Sequence, residues 1–351
     1  MIIHSTIRDY EVIYAESADF FGNLPSVNSF YVIDRKVYEL YVSYFAPLDK
    51  DRLFLIDATE ENKTIDVALQ ICEKMTSLSS KRNTVLVSIG GGIIQDITGF
   101  VANVLYRGID WYFVPTTLLA ACDSCIGGKT SLNFKKFKNL LGTFYPPLKI
   151  FIYPDFFETL EPRDYLSGLG EVVKFNIMAG PTGLSSIKKN IDLLLGHDKT
   201  ALMHCVDNSL NFKKLFIEKD EFDRKERILL NFAHTFGHAF EVSSAYAIPH
   251  GTAVALGIVV ANTISVKRSI LSKEKASEIE DVIKKIVILD FNNEWFSMTS
   301  ILSAIKNDKK QSSSSLTAIL LDDDFSLRQV HDISEAEIEA AVTYLLKFVQ
   351  K

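Results

Sequence analysis

Nowhere among the 351 residues of this chain is there an apolar run long enough to cross a bilayer, so no membrane insertion is expected. Cysteine is scarce. Four in a chain of this length make no disulfide scaffold, and a reducing cytoplasm is the expected setting. Cys122 and Cys125 form a C-x-x-C, but no second pair completes a zinc knuckle, and they read as small buried residues. Positive charge is not in excess either. A formal net charge of -6 argues against a nucleic-acid binder while leaving room for a local basic pocket. The first residues, Met1-Ile-Ile-His-Ser-Thr6, lack the basic-then-apolar order of a secretory leader. What remains is the composition of a soluble globular protein, 47% hydrophobic and 23% charged, long enough for two domains or one large α/β unit.

The first half alternates short apolar runs with helical patterns. Phe30–Asp34, Leu53–Asp57, Thr84–Ile89 and Trp111–Val114 read as buried strands, and Thr64–Ser77 and Ile93–Tyr106 as helices. Alternation of this kind predicts a parallel sheet flanked by helices. From about Pro162 helical periodicity dominates, through Tyr165–Met178, Ile187–Leu195, Thr200–Lys219, Arg227–Ala245, Thr252–Ser269, Lys273–Val287 and Ser334–Val349. Leu316–Leu321 reads as one late strand, and Asp308–Ser315, ending in four serines, as a loop. The expected layout is an α/β nucleotide-type domain over 1–161 and a mostly helical domain over 162–351, with the cleft between them as the default site.

Two stretches carry chemistry. Ser88-Ile-Gly90-Gly91-Gly92-Ile-Ile-Gln-Asp96 follows a strand and opens a helix, where glycines let the backbone approach a pyrophosphate at a helix N-terminus. A plain strand-to-helix turn would look the same. Thr116 and Thr117 follow the next strand, and Gly127-Gly128-Lys129 sets a cation beside pliant backbone. The second stretch is His234-Thr-Phe-Gly-His238-Ala-Phe-Glu241, with Pro249-His250-Gly251 shortly after. Histidines at i and i+4 share a helix face and can hold a divalent ion, with His250 as a third ligand. The alternative is a helix with two ordinary histidines.

Taken together, Gly90-Gly-Gly-x-x-x-Asp96, Tyr106-Arg107-Gly108, Val114-Pro-Thr-Thr-Leu-Leu-Ala120, Asp123-Ser-x-Ile-Gly-Gly-Lys129-Thr, Lys138-Asn139, Gly168-x-Gly-Glu171-Val-Val-Lys174, Leu230-Asn231-Phe-x-His234-Thr-x-Gly-His238-Ala-x-Glu241 and Pro249-His250-Gly251 stand in the order and spacing of the 3-dehydroquinate synthases and their sugar-phosphate cyclase relatives. The chain resembles that family from about Asp34 to Lys310. The resemblance implies a Rossmann-like NAD-binding domain followed by a helical domain, and a homodimeric lyase using NAD and Zn2+ or Co2+. Its substrate would be a small sugar phosphate. NAD would take a hydride, phosphate would leave by elimination with the phosphate serving as its own base, and the hydride would return before an aldol closure. The reaction implied is the shikimate-pathway conversion of 3-deoxy-D-arabino-heptulosonate 7-phosphate to 3-dehydroquinate.

By matching position, the resemblance implies Glu171, His234 and His250 as metal ligands, with His238 facing substrate and not metal. It implies Asp34, Glu60, Lys63, Gly91, Gly92, Asp96, Thr116, Thr117, Asp123, Lys129, Lys138 and Thr159 as NAD contacts. Substrate contacts would be Arg107, Lys129, Asn139, Lys174, Lys213, Arg227, Asn231 and a lysine of the pair Lys309 and Lys310. Lys135, Lys136 and Lys214 match nothing and read as surface charges.

The chain departs from the family pattern in places. Lys225 occupies a usual glycine position, Ala233 replaces the glycine before the first histidine, and Leu321-Asp-Asp-Asp-Phe325 stands where an Ile-Gly ending is usual. Tyr145-Pro146-Pro147 is similar to the cyclases that make aminocyclitol precursors. The alternatives are therefore an aminodehydroquinate, 2-deoxy-scyllo-inosose or 2-epi-5-epi-valiolone synthase. Gly127-Gly-Lys129-Thr, Arg227 and Asn231, which the last two usually alter, are kept. A metal-dependent polyol dehydrogenase would leave the lysine and arginine set without a purpose, and a non-catalytic homologue would have no need of the ligand set.

Overall fold

Residues 30–33 and 86–89 are buried on both faces of their strands, as a parallel strand covered by helices on either side must be. The computed structural model describes residues 1–24, 28–78, 82–135, 137–288, 292–307 and 316–350. The chain folds as two units, Met1–Leu160 with Ile217–Phe222, and Glu161–Phe216 with Asp223–Lys351.

In the first unit the strands are β1 (Ile2–Ile3), β2 (Tyr10–Tyr14), β3 (Ser29–Asp34), β4 (Leu53–Ile56), β5 (Val85–Gly90), β6 (Trp111–Pro115), β7 (Lys129–Phe134), β8 (Phe137–Phe144) and β9 (Lys149–Ile152). Seven of them form one sheet in the order β1-β2-β9-β6-β5-β3-β4, parallel throughout except for β1 against β2. Helices α1 (Arg35–Leu40), α2 (Val42–Phe45), α3 (Ile65–Ser77) and α4 (Gly92–Val104) connect the strands. After β4 the chain returns to the other side of β3 to lay down β5. The carboxyl ends of β3 and β5 therefore flank a switch point, where open α/β sheets place their ligands. The hairpin β7–β8 stands apart from the main sheet and leans on α4, so close that a Cβ on Gly99 would lie 2.5 Å from Thr130 Cγ2.

The second unit holds α5 (Pro162–Met178), α6 (Pro181–Leu195), most of α7 (Lys199–Lys219), α8 (His234–Ser243), α9 (His250–Lys267), α10 (Lys273–Ile286), α11 (Met298–Asn307), the hairpin β10 (Leu316–Leu321) and β11 (Leu327–Ile333), and α12 (Glu335–Val349). Prolines open α5 and α6 where a missing N–H costs nothing. Nearly every residue of α9 is buried, so its apolar surface runs all the way round and it forms the axis of the unit.

Most expected elements occur within three residues of their expected ends. The helix expected over Ile187–Leu195 starts six residues earlier, at Pro181. Three further elements differ in kind. The helix expected over Arg227–Ala245 is two pieces: a 3-10 segment, Glu226–Asn231, then α8, separated by Ala233 in the left-handed region at φ 67°. Leu316–Leu321 is not solitary but pairs with β11, whose adjacent polar pairs Arg328-Gln329 and His331-Asp332 break any alternation and hid it. The hairpin β7–β8 was absent from the expectation, because polar residues interrupt its apolar ones and its second strand is largely exposed. The loop expected over Asp308–Ser315 lies outside the described residues. Among the described residues no helix is long and apolar enough to cross a membrane. Cys122 and Cys125 are buried, each sulfur directed at a backbone carbonyl one turn back.

Candidate functional site

Glu171 sits in the middle of α5 with no exposed surface. A carboxylate buried to this depth must be met by positive charge or donors, or it will not stay ionised. Here it is met on several sides. Lys174, one turn on, brings Nζ to 2.6 Å of Oε2, while His234 Nε2 and His250 Nε2 approach Oε1 at 3.4 and 3.3 Å. Lys174 is itself buried, donates to Leu230 O at 3.3 Å, and lies over the Phe175 ring.

The two imidazoles are the first residues of α8 and α9. Helix α9 reaches α5, and α8 reaches α9, because small residues let the backbones touch. A Cβ on Gly170 would lie 2.1 Å from Gly251 O, and one on Gly257 would lie 2.4 Å from Ala233 O. Each contact is adjacent to a member of the cluster: Gly170 precedes Glu171, Gly251 follows His250, and Ala233 precedes His234.

The far nitrogens of both rings are also engaged. His234 Nδ1 meets Phe232 O at 3.0 Å, across the left-handed turn at Ala233. A carbonyl there accepts only from N–H, which leaves Nε2 with its lone pair toward Glu171. His250 Nδ1 meets Glu241 Oε2 at 3.2 Å. Burial would lower the basicity of His250, but hydrogen bonds to Glu171 and Glu241 outweigh it and push its pKa up to about 10. His250 is therefore held protonated between the two carboxylates, and an ion at this point would take the place of its Nε2 proton. One carboxylate oxygen and two imidazole nitrogens within 4.8 Å of one another are the donor set of an open catalytic site for zinc or cobalt, and these residues fit such an ion.

His238 lies one turn after His234 on α8, its ring centroid 5.3 Å from that of His234 and 5.9 Å from that of His250. It groups with Glu241 and His250 and not with Glu171. The i, i+4 spacing alone offers it as a ligand, and the ligand atoms of His238, Glu241 and His250 do lie within 4.8 Å of one another, beside the group formed by Glu171, His234 and His250. Lys213 and Arg227 are buried cations, and Asn231 donates to Ile228 O at 2.9 Å at the end of the 3-10 segment. Lys309 and Lys310 lie outside the described residues.

The first unit gathers the other set. Asp34 ends β3, caps α1 by accepting from Lys36 N at 3.0 Å, and has its carboxyl pushed up, chiefly by burial. Gly91 caps α4 without a side chain of its own, and a Cβ there would lie 2.9 Å from Thr117 Cγ2. Gly92 opens α4, and Thr117 Oγ1 accepts from Ala120 N at 3.2 Å. Thr116 is buried, and its Oγ1 has no hydrogen-bond partner among the described residues. A bare helix N-terminus, a glycine cradle and an unmet hydroxyl together fit the pyrophosphate of a dinucleotide. Asp123 lies in one turn of π-helix following Thr117. Thr159 shares a hydrogen bond of 2.9 Å with Tyr41 Oη.

Lys63, Asp96 and Asn139 form one network. The Lys63 ammonium is buried, 2.5 Å from Asp96 Oδ2 and 2.6 Å from Asn139 Oδ1. Burial pushes the Asp96 carboxyl up, against the pull of Lys63. Ser131 donates to Asp96 from its backbone at 2.9 Å, and Asn133 donates to Glu60 Oε2 at 2.8 Å while accepting from Asn139 N at 2.9 Å. Lys138 lies 3.9 Å from Glu60 Oε2, and Lys129 opens β7. Arg107 is exposed at a bend where Tyr106, Arg107 and Gly108 all have positive φ. Lys135 lies over the Phe134 ring, its Nζ 5.4 Å from the centroid, and Lys136 lies outside the described residues.

Sequence reasoning gave no role to Glu241, Ser131 or Asn133. Glu241 could have been noticed, since it follows His234 and His238 at i+7 and so shares their helix face. Nothing in the sequence marks Ser131 and Asn133, because their partners are distant along the chain.

Residues 53–167 match the 3-dehydroquinate synthase N-terminal family, and residues 168–311 the 3-dehydroquinate synthase C-terminal family. The chain is 32% identical over 339 residues to a 3-dehydroquinate synthase of Dictyoglomus turgidum (strain DSM 6724 / Z-1310), covering 96% of this chain and 91% of that protein. Its fold is similar to 2-epi-5-epi-valiolone synthase from Streptomyces hygroscopicus subsp. jinggangensis 5008, solved with NAD+ and Zn2+, at a TM-score of 0.85 and 22% identity over 96% of this chain and 97% of that one. A probable glycerol dehydrogenase from Sinorhizobium meliloti 1021 shares the fold more loosely, at a TM-score of 0.65 and 12% identity over 97% of both chains.

Proposed function

Because the chain belongs to the 3-dehydroquinate synthase family, we propose that it converts 3-deoxy-D-arabino-heptulosonate 7-phosphate to 3-dehydroquinate and phosphate, using NAD and a divalent metal ion. The observation that supports this most is the meeting of Glu171, His234 and His250, from three separate helices, around one point. Residues 1–161 are assigned the dinucleotide and residues 162–351 the metal and most of the substrate. A cytoplasmic homodimer completes the reading.

A metal ion held by Glu171, His234 and His250 supplies Lewis acidity to a substrate oxygen, and NAD supplies a reversible hydride acceptor. The remaining work falls to side chains of this protein. Asp34 ends β3, where an acidic group suits a ribose hydroxyl. Gly91, Gly92 and Thr116 offer backbone and hydroxyl to the pyrophosphate. Lys174 is fixed by Glu171 and Leu230 O, so its remaining donor capacity has a set direction. Lys213 and Arg227 bring buried positive charge to a substrate that carries a carboxylate and a phosphate. Arg107, Lys129 and Asn139 add three more donors, and His238 stands beside the metal ligands as a substrate contact. Such groups accelerate the reaction by holding substrate in a reactive geometry and stabilising charge.

Phosphate release measured with NAD and Co2+ tests the reading, using 3-deoxy-D-arabino-heptulosonate 7-phosphate, glucose 6-phosphate and sedoheptulose 7-phosphate side by side. Turnover of the first alone is expected. Turnover of only one of the other two would replace the substrate and keep the family.

A further inference from the structure

His250 is held at both ring nitrogens by carboxylates: Nε2 lies 3.3 Å from Glu171 Oε1 and Nδ1 lies 3.2 Å from Glu241 Oε2. The other imidazole of the cluster is fixed differently, by the backbone carbonyl of Phe232. That difference matters. A carbonyl delivered by a turn is set by the backbone and cannot be lost by side-chain change, whereas His250 depends on one side chain nine residues away.

We propose that Glu241 is the positioning residue that sets the tautomer and ring orientation of His250. Its carboxylate accepts the Nδ1 proton, which leaves the Nε2 lone pair directed at the point shared with Glu171 and His234. Glu241 reaches this place because His234, His238 and Glu241 stand at i, i+4 and i+7 on α8, so one helix face presents a ligand, a substrate contact and the support for a second ligand. His250, at the first position of α9 and 29% exposed, has less packing to hold its ring than His234 at 11%. Its orientation therefore rests on hydrogen bonding. Glu241 also lies within the group formed with His238, so the same carboxylate stands beside the substrate histidine.

This inference rests on the metal reading above, and the test separates the two. Co2+ affinity is measured by chelator competition on full-length wild type, Glu241→Ala, Glu241→Gln and Glu171→Gln, with NAD affinity measured in parallel as a check on folding. Glu241→Ala is expected to weaken Co2+ binding by about 10- to 100-fold with NAD affinity unchanged. Glu241→Gln, which keeps an oxygen able to accept from Nδ1, is expected to recover most of that loss. Wild-type Co2+ affinity in Glu241→Ala would overturn the inference, as would a Gln variant as weak as the Ala variant. Absence of Co2+ binding by the wild type would instead overturn the metal reading beneath it.

Discussion

Gly170 and Gly251 meet backbone to backbone where α5 crosses α9, with room for no Cβ between them: one on Gly170 would come within 2.1 Å of Gly251 O, and one on Gly251 within 1.8 Å of Ser167 O. The same crossing is tied by Gly251 N donating to Ser167 Oγ at 3.0 Å. It sets the separation of the two residues beside it, Glu171 and His250, and thereby the size of the donor cluster.

Replacing Gly170 by alanine should push the two helices apart. Overpacking of this kind costs about 3 kcal/mol, and the displaced Glu171 and His250 should hold a divalent ion more weakly. Thermal unfolding and Co2+ titration of Gly170→Ala check both effects. Unchanged stability together with unchanged affinity would show that the crossing does not set the ligand spacing.

The family's usual glycine before the first histidine has a physical reason here. Ala233 takes φ 67°, a conformation that costs an L-residue on the order of 1 kcal/mol and that glycine takes freely. The pattern of glycines and strand–helix alternation was therefore enough to order most of the elements, and the family resemblance named the three residues that the fold brings together, Glu171, His234 and His250. Contacts made by ordinary polar residues were not legible. Ser131 and Asn133 sit on the β7–β8 hairpin, and their role follows from partners at Asp96 and Glu60 that only the fold brings near. The break at Ala233 was hidden because apolar periodicity continues across it, and β11 because adjacent polar pairs break its alternation.

Breaking the Lys63–Asp96 pair should loosen the hairpin that carries Lys129 and Asn139. Lys63→Met leaves a partly buried carboxylate without its ammonium and should cost about 3 kcal/mol, and adding Asp96→Leu should restore much of the loss. Chemical denaturation of both variants reads the energies, and amide exchange along 129–144 reads the loosening. Equal stability of the single and double variants would deny the coupling.

Stability should fall in acid partly through the C-terminal helix. Arg268 forms a forked pair with Glu337 and also binds Asp332, holding the start of α12 to the end of α9. The Arg268 hydrogen bonds hold the Glu337 carboxyl down at about 2, below its ordinary 4.5. A depressed carboxyl stabilises the fold fully above the unfolded value and loses that contribution as pH falls from about 4.5 toward 2. After screening, the contribution is on the order of 1 kcal/mol. Comparing unfolding of wild type and Arg268→Ala between pH 6 and pH 2 should show the gap between them shrinking as pH falls. A gap independent of pH would remove this pair from the acid response.

The measurement that bears most directly on the whole account is anomalous X-ray diffraction from crystals of the protein grown with Co2+ and NAD. The account predicts one strong cobalt peak about 2.0–2.2 Å from a Glu171 oxygen and from Nε2 of His234 and His250. A peak bound instead by His238 and Glu241, with Glu171 left to Lys174 alone, would contradict it.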